Sequence, residues 1–179
     1  MLTTRSSKRD KVGVFNTDLM FDIMDGEQQV ASLVYDKKAM RATMDVGAAS
    51  YGVEQVGDQP DDGVYQALLR LLGGGEKPPA PPWGLKDSGG KILALAQQTK
   101  ASFAISRGDE SYTLRKKGRP FELLRRGNGD QPLGTVGQEK FFTRTLHIRL
   151  PSDLDRPFQV FLLTLVLTYT LQEMDKATT

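Results

Sequence analysis

The sequence predicts a mainly β (α+β) fold, in which a closed antiparallel β-barrel surrounds a central hydrophobic C-terminal helix. Three observations lead to this fold class. Short segments of alternating apolar and polar residues follow one another, with turn residues between them. The most apolar run of the chain, 156–174, comes after all of these segments. A stretch rich in Pro and Gly, 58–91, interrupts the series and predicts an insertion.

The first hairpins are predicted between residues 19 and 55. Leu19, Phe21 and Ile23 alternate with polar or flexible residues and share one face of a strand. Asp25-Gly26 is a turn signal, because Gly readily adopts the positive φ that tight turns need. Residues 30–35 form the returning strand. Residues 40–44 and 51–55 repeat the pattern on either side of a break at Gly47.

Residues 58–91 predict a helix followed by a proline-rich loop. Asp61 and Asp62 are candidate N-cap residues, residues 64–72 have helical apolar spacing, and three glycines then end the helix. We expect the loop to cross the barrel or one of its ends, and a polyproline ligand for a protein partner is the alternative. The candidate partner-loop residues are Pro78, Pro79, Pro81, Pro82 and Trp83.

Strands resume after this insertion. Residues 92–98 are a candidate strand, although their alanines also allow a helix. Phe103 and Ile105, followed by a turn at 107–110 and by Tyr112 and Leu114, give the clearest hairpin of the chain. Residues 121–137 predict another hairpin, and the alternation of 145–150 predicts a last strand.

The apolar run after the last strand predicts a buried helix. Pro157 suits a first helical turn, where its missing N–H is not needed, and the preceding acids favour the positive end of a helix. Apolar side chains occur on every face from residue 158 to 171. This length of about 21 Å is short for a bilayer core of about 30 Å. The centre of a barrel, whose strands leave no free edge, is therefore the expected environment.

Consecutive hairpins followed by a hydrophobic helix resemble the tubby-like superfamily, which includes tubby C-terminal domains, LURP-one-related proteins and phospholipid scramblases. The resemblance rests on "FDIMDGEQQVASLV", "FAISRGDESYTL", "FELLRRGNGDQPLGTVGQ" and "LPSDLDRPFQVFLLTLVLTYTL". It implies a barrel of about a dozen strands around the helix, and tubby-type domains bind phosphoinositide headgroups through Lys and Arg. The chain departs from the scramblases because it has no Cys cluster to be palmitoylated.

The domain organisation predicted from these features is a basic N-terminal arm at 1–11 and a single barrel domain at 12–176 that carries the insertion. The chain has 179 residues, no Cys and one His. Disulfides, thiolate nucleophiles and Cys-based metal sites are therefore excluded. No motif predicts a catalytic residue, a metal site or a cofactor, so we expect a protein that is not an enzyme.

Positive charge is concentrated in two segments. Residues 115–126 hold six basic residues and one acid, although the whole chain has a net charge of only +2. The basic residues of the arm form the second segment. The candidate anionic-ligand-binding residues are Arg115, Lys116, Lys117, Arg119, Arg125 and Arg126. We expect the two ends of this segment to converge on one rim of the barrel and to attract a polyanion.

Two functions remain open from the sequence. The first is a binding domain that docks on acidic phospholipid through this segment, with a cytoplasmic location peripheral to the membrane. The second is a structural or protein-interaction domain that recognises a partner through Trp83 and the proline loop. Nucleic acid is a weaker candidate, because Phe121 is the only aromatic residue within the basic segment and stacking platforms are missing.

Overall fold

A computed structural model describes residues 1–6, 18–57, 80–127, 129–138 and 145–177. Within these residues, twelve antiparallel strands form a closed barrel, and one helix follows the last strand. The predicted fold class is confirmed. The strands are β1 (Leu2–Ser6), β2 (Asp18–Asp25), β3 (Gln28–Asp36), β4 (Arg41–Val46), β5 (Ala49–Gln55), β6 (Trp83–Asp87), β7 (Ile92–Gln98), β8 (Ser102–Arg107), β9 (Glu110–Lys116), β10 (Phe121–Arg125), β11 (Gln131–Gly137) and β12 (His147–Arg149), and the helix is α1 (Arg156–Ala177).

The strands follow one another around the barrel in chain order. Each of β1 to β11 pairs with the next strand, and β12 pairs with β1 through Leu2 opposite Ile148 and Thr3 opposite His147. Closure leaves none of the described strands with a free edge. Residues 92–98, which the sequence left open between strand and helix, form β7 between β6 and β8.

Alternation along the strands sends one set of side chains into the barrel. In β4, Ala42 and Met44 are buried while Arg41 and Thr43 are exposed. The same period of two applies to the predicted hairpin of β8 and β9, where the apolar side chains point inward. The hydrophobic residues that made the strands recognisable are thus the barrel lining.

Helix α1 fills the space inside the barrel. Every residue from 158 to 169 is buried, and the helix contacts β4, β5 and β6 on one side and β11 on another. The hydroxyls of Thr164 and Thr168 donate to the carbonyls of Val160 and Thr164, at 2.9 Å in each case, so their burial leaves no donor unpaired. No helix among the described residues combines the length and the apolarity that crossing a bilayer requires.

Two predicted boundaries are wrong. Trp83–Asp87 is strand β6, paired with β5 and β7, so the insertion cannot extend to residue 91. Trp83 is the first residue of β6, and the prolines before it led to the prediction of a loop instead of a strand. The helix predicted at 64–72 lies outside the described residues. The predicted N-terminal arm is also wrong in part, because Leu2–Ser6 is β1 and pairs with both β2 and β12.

Candidate functional site

The chain order of the strands defines two ends of the barrel. Turns alternate between these ends in an up-and-down barrel. We call the end at which α1 begins the lower end; there, Arg156 lies 3.4 Å from Asp25 at the β2–β3 turn. The upper end is the one at which α1 finishes, where Gln98 of β7 donates to Gln172 at 3.1 Å. The β3–β4, β7–β8 and β9–β10 turns lie at the upper end, and the β8–β9 and β10–β11 turns lie at the lower end.

The six predicted basic residues divide between the two ends. Lys116 pairs with Phe121, and Arg125 pairs with Tyr112, so strand β10 separates the two groups. Four residue steps along a strand span about 13 Å. The expected convergence on one rim is therefore wrong. Arg115, Lys116, Lys117 and Arg119 belong to the upper end, and Arg125 and Arg126 belong to the lower end.

A single carboxylate organises two of the upper cations. Glu122, on β10, accepts hydrogen bonds from Arg115 Nη2 and Lys117 Nζ, both at 2.8 Å. The hydrogen bonds from Lys117 and then from Arg115 hold the pKa of the Glu122 carboxyl below its ordinary value. The carboxyl is almost enclosed, whereas the side chains of Arg115 and Lys117 remain 52% and 65% exposed. The ion pairs with Glu122 therefore position Arg115 and Lys117 while leaving both side chains exposed to solvent.

The other upper cations surround a groove between the β9–β10 turn and the last turns of α1. Its volume is about 380 Å³, and its lining includes Lys116, Arg119, Tyr169, Met174 and one carboxylate, that of Glu173. Lys116 Nζ lies 5.3 Å from the centre of the Tyr169 ring, a cation–π distance. The groove thus combines positive charge with aromatic and aliphatic surface.

Lys100 joins this group, although the sequence did not single it out. It is exposed in the β7–β8 turn, and the carbonyl of the next residue, Ala101, accepts the backbone N–H of Lys116 at 3.0 Å. A lone Lys in a turn carries no sequence signal, and only strand pairing reveals its neighbours. The basic surface, as we use the term below, consists of Lys100, Arg115, Lys116, Lys117 and Arg119. With Glu122 its net charge is +4.

Arg125 and Arg126 are engaged by acids at the lower end. Arg125 Nη2 lies 3.5 Å from Glu110 and 4.0 Å from Asp153, and Arg126 donates to Asp130 at 3.0 Å. Their charges are therefore compensated locally, and these two residues do not add to the basic surface.

Tyr112 anchors the same lower network from inside the barrel. Its hydroxyl donates to Glu110 at 2.7 Å, and its ring lies 5.9 Å from the guanidinium carbon of Arg125. Burial, followed by the hydrogen bond with Glu110, raises the pKa of the Tyr112 hydroxyl. The ring packs 5.2 Å from that of Phe158, so this network ties the start of α1 to β9 and β10.

Trp83, the aromatic residue of the predicted partner loop, is buried in the barrel. The Trp83 side chain is 1% exposed and belongs to the barrel core, which makes its predicted role as a partner contact wrong for the folded barrel. Pro82 is also buried, whereas Pro81 is exposed. Pro78 and Pro79 lie outside the described residues.

Comparisons with known proteins assign no relative to this chain. No protein-family model, no curated protein and no solved structure matches it.

Proposed function

We propose that this chain is a non-catalytic binding domain that docks on acidic phospholipid through the basic surface. The observation that carries the proposal is the net charge of +4 that the basic surface and Glu122 have together, in a protein whose total charge is +2. Each Lys or Arg near an anionic membrane contributes about 1 kcal/mol of attraction. A net positive charge of this size on one surface supports reversible, salt-sensitive binding.

The architecture supports a proposal about family. Twelve consecutive antiparallel strands around one apolar C-terminal helix agree with the architecture of the tubby-like superfamily, and we propose membership on that ground. Phosphoinositide-like headgroups are then the natural ligands, because their phosphates offer several negative charges to closely spaced cations. The proposed location is cytoplasmic and peripheral to the membrane.

A protein partner remains the alternative ligand. Since Trp83 is enclosed in the barrel, such a partner would have to recognise the prolines before it, of which Pro81 is exposed. The basic surface is the better supported site, because all five of its cations are described and exposed.

Vesicle co-sedimentation tests the proposal. The variant Lys100→Gln/Lys116→Gln/Arg119→Gln removes three charges from the basic surface and leaves the partners of Glu122 in place. The matched control Lys91→Gln/Arg126→Gln/Arg149→Gln removes three exposed charges elsewhere. Both variants therefore have the same net charge.

The proposal expects the wild type and the control to sediment with acidic vesicles at low salt and to be released at high salt, because salt screens the attraction. The variant Lys100→Gln/Lys116→Gln/Arg119→Gln should stay in the supernatant. Equal loss of binding in both variants would mean that net charge alone matters. No binding by the wild type would reject lipid docking and direct attention to the proline loop.

A further inference from the structure

A second group of cations lies at the upper end, on the far side of the barrel. Lys37 and Lys38 are exposed in the turn between β3 and β4. This turn is six strands away from the β9–β10 turn in a ring of twelve, which places the two turns across the barrel from each other. Lys37 is far from residues 115–126 in the sequence. Closure of the barrel places both at the upper end.

An exposed apolar side chain belongs to the same end. Met174, near the end of α1, is 62% exposed and lines the groove with Lys116 and Arg119. Because α1 occupies the barrel interior, its last turns emerge at the upper end, where Gln172 lies beside β7 and Met174 beside the β9–β10 turn. The described residues include one other large exposed apolar side chain, Met1, and it lies at the lower end next to Asp25.

The lower end has the opposite character. A groove of about 940 Å³ there is lined by the carboxylates of Asp109, Glu110, Asp153 and Asp155 against one cation, Arg107. These carboxylates disfavour contact of this groove with an anionic membrane. Among the described residues, the basic surface and this acidic groove thus lie at opposite ends of the barrel axis.

We propose that the barrel docks end-on, with its upper end on an acidic bilayer and Met174 entering the boundary between headgroups and acyl chains. This inference rests on the proposed function and specifies the orientation and the apolar anchor of that binding. A flat membrane reaches the β3–β4 and β9–β10 turns together only if it faces the upper end. Contact along the side of the barrel would engage one turn and leave the other in solvent. An apolar group flanked by cations is the usual composition of an interfacial anchor.

Single-cysteine labelling measures the orientation directly, since the chain has no Cys of its own. An environment-sensitive fluorophore is placed in four separate variants of the full chain at exposed positions: Ala39→Cys, Ala101→Cys, Ser152→Cys and Met174→Cys. The vesicles contain phosphatidylcholine and phosphatidylserine, with lipid-borne quenchers at the headgroup or in the acyl chain. Co-sedimentation of each labelled protein is measured in parallel.

End-on docking expects headgroup quenching at positions 39, 101 and 174, additional acyl-chain quenching at 174, and none at 152. Quenching at 101 without quenching at 39 and 174 would overturn the inference, while the binding itself would uphold the proposed function. Quenching at 152 would also overturn it. Failure of every protein, including unlabelled wild type, to sediment with the vesicles would overturn both.

Substitution of the anchor provides a second readout. Met174→Gln should weaken vesicle binding about fivefold because apolar area no longer leaves water, whereas Met174→Leu should bind like the wild type. Lys37→Gln/Lys38→Gln should weaken binding as much as Lys100→Gln/Lys116→Gln does. Unchanged binding of Met174→Gln and of Lys37→Gln/Lys38→Gln would show that only one side of the upper end meets the membrane.

Discussion

Asp155 caps helix α1, because its Oδ1 accepts the backbone N–H of Phe158 at 2.9 Å. The same carboxylate pairs with Arg107 at the end of β8. One side chain therefore satisfies a helix donor and joins the start of the helix to the barrel wall.

Asp155→Ala should lower the free energy of unfolding by about 1 kcal/mol, because a donor in the first turn of α1 loses its acceptor. Asp155→Asn is the matched control: it keeps an oxygen for the N–H and loses the exposed ion pair, which contributes little. Urea unfolding checks both variants. A loss in the Asn variant equal to that in the Ala variant would assign the stabilisation to the ion pair with Arg107.

Truncating a side chain at the centre of the barrel should cost far more. Phe161 is fully buried on α1, and Phe161→Ala should lower the free energy of unfolding by about 3–5 kcal/mol by leaving a cavity among the strands. Met174→Ala, at the exposed end of the same helix, should change it by less than about 0.5 kcal/mol. Similar effects at both positions would contradict a helix enclosed along its length.

Gly134 permits the close approach of β11 and β12. A Cβ at this position would collide with the carbonyl oxygen of Arg149, so Gly134→Ala should lower the free energy of unfolding by about 2 kcal/mol or more. Gly52→Ala, also on a strand, meets no atom within 4 Å and should have little effect. Thermal unfolding of the pair distinguishes a requirement for space from a general intolerance of Ala in these strands.

The pairing of Glu122 with Lys117 and Arg115 should contribute to stability only while the carboxyl is ionised. Because its folded-state pKa is lowered, the contribution is fully present above the ordinary value of 4.5 and is lost as the pH falls through the folded-state pKa. Glu122→Gln should be less stable than the wild type at neutral pH, and the difference should shrink towards about pH 3. Urea unfolding across this range checks the sign, which a difference independent of pH would contradict.

The same substitution should strengthen docking on acidic vesicles if the basic surface is the docking site. Glu122→Gln raises the net charge of that surface by one, because it removes the negative charge that Arg115 and Lys117 share. We expect affinity to rise about fivefold. Asp130→Asn, which removes the negative charge paired with Arg126 at the lower end, is the control and should leave affinity unchanged. A gain in both variants would point to net charge instead of a site.

Strong periodic patterns predicted most of the fold. The alternation of Phe103 and Ile105 with the returning Tyr112 and Leu114 gave one hairpin correctly, and the apolar run gave α1. The strands β1 and β6 were not predicted, because β1 has few apolar residues and β6 directly follows prolines. Only Leu2 and Thr4 face inward on β1, and Trp83 follows a run of prolines that is typical of a loop.

The candidate site was less predictable than the fold, because proximity along the chain differs from proximity in a barrel. Arg115 and Arg125 are ten residues apart, yet β10 carries them to opposite ends of the molecule. Lys100 joins the basic surface through the pairing of β8 with β9, which places the β7–β8 turn beside Lys116. The run of charges at 115–126 therefore predicted four residues of the basic surface but not Lys100, and it included two residues of the opposite end.

The enclosure of α1 has a consequence for biosynthesis. All twelve strands precede this helix in the chain, so a ribosome releases the wall of the barrel before the segment that fills it. Until α1 emerges, the strands lack the helix against which they pack, and β1 cannot pair with β12, the last of the described strands, until β12 has been synthesised. Strand pairs that are distant in the sequence form slowly, and until they form, the unpaired strand edges are prone to aggregation. The strands are therefore exposed to aggregation until α1 itself has been synthesised.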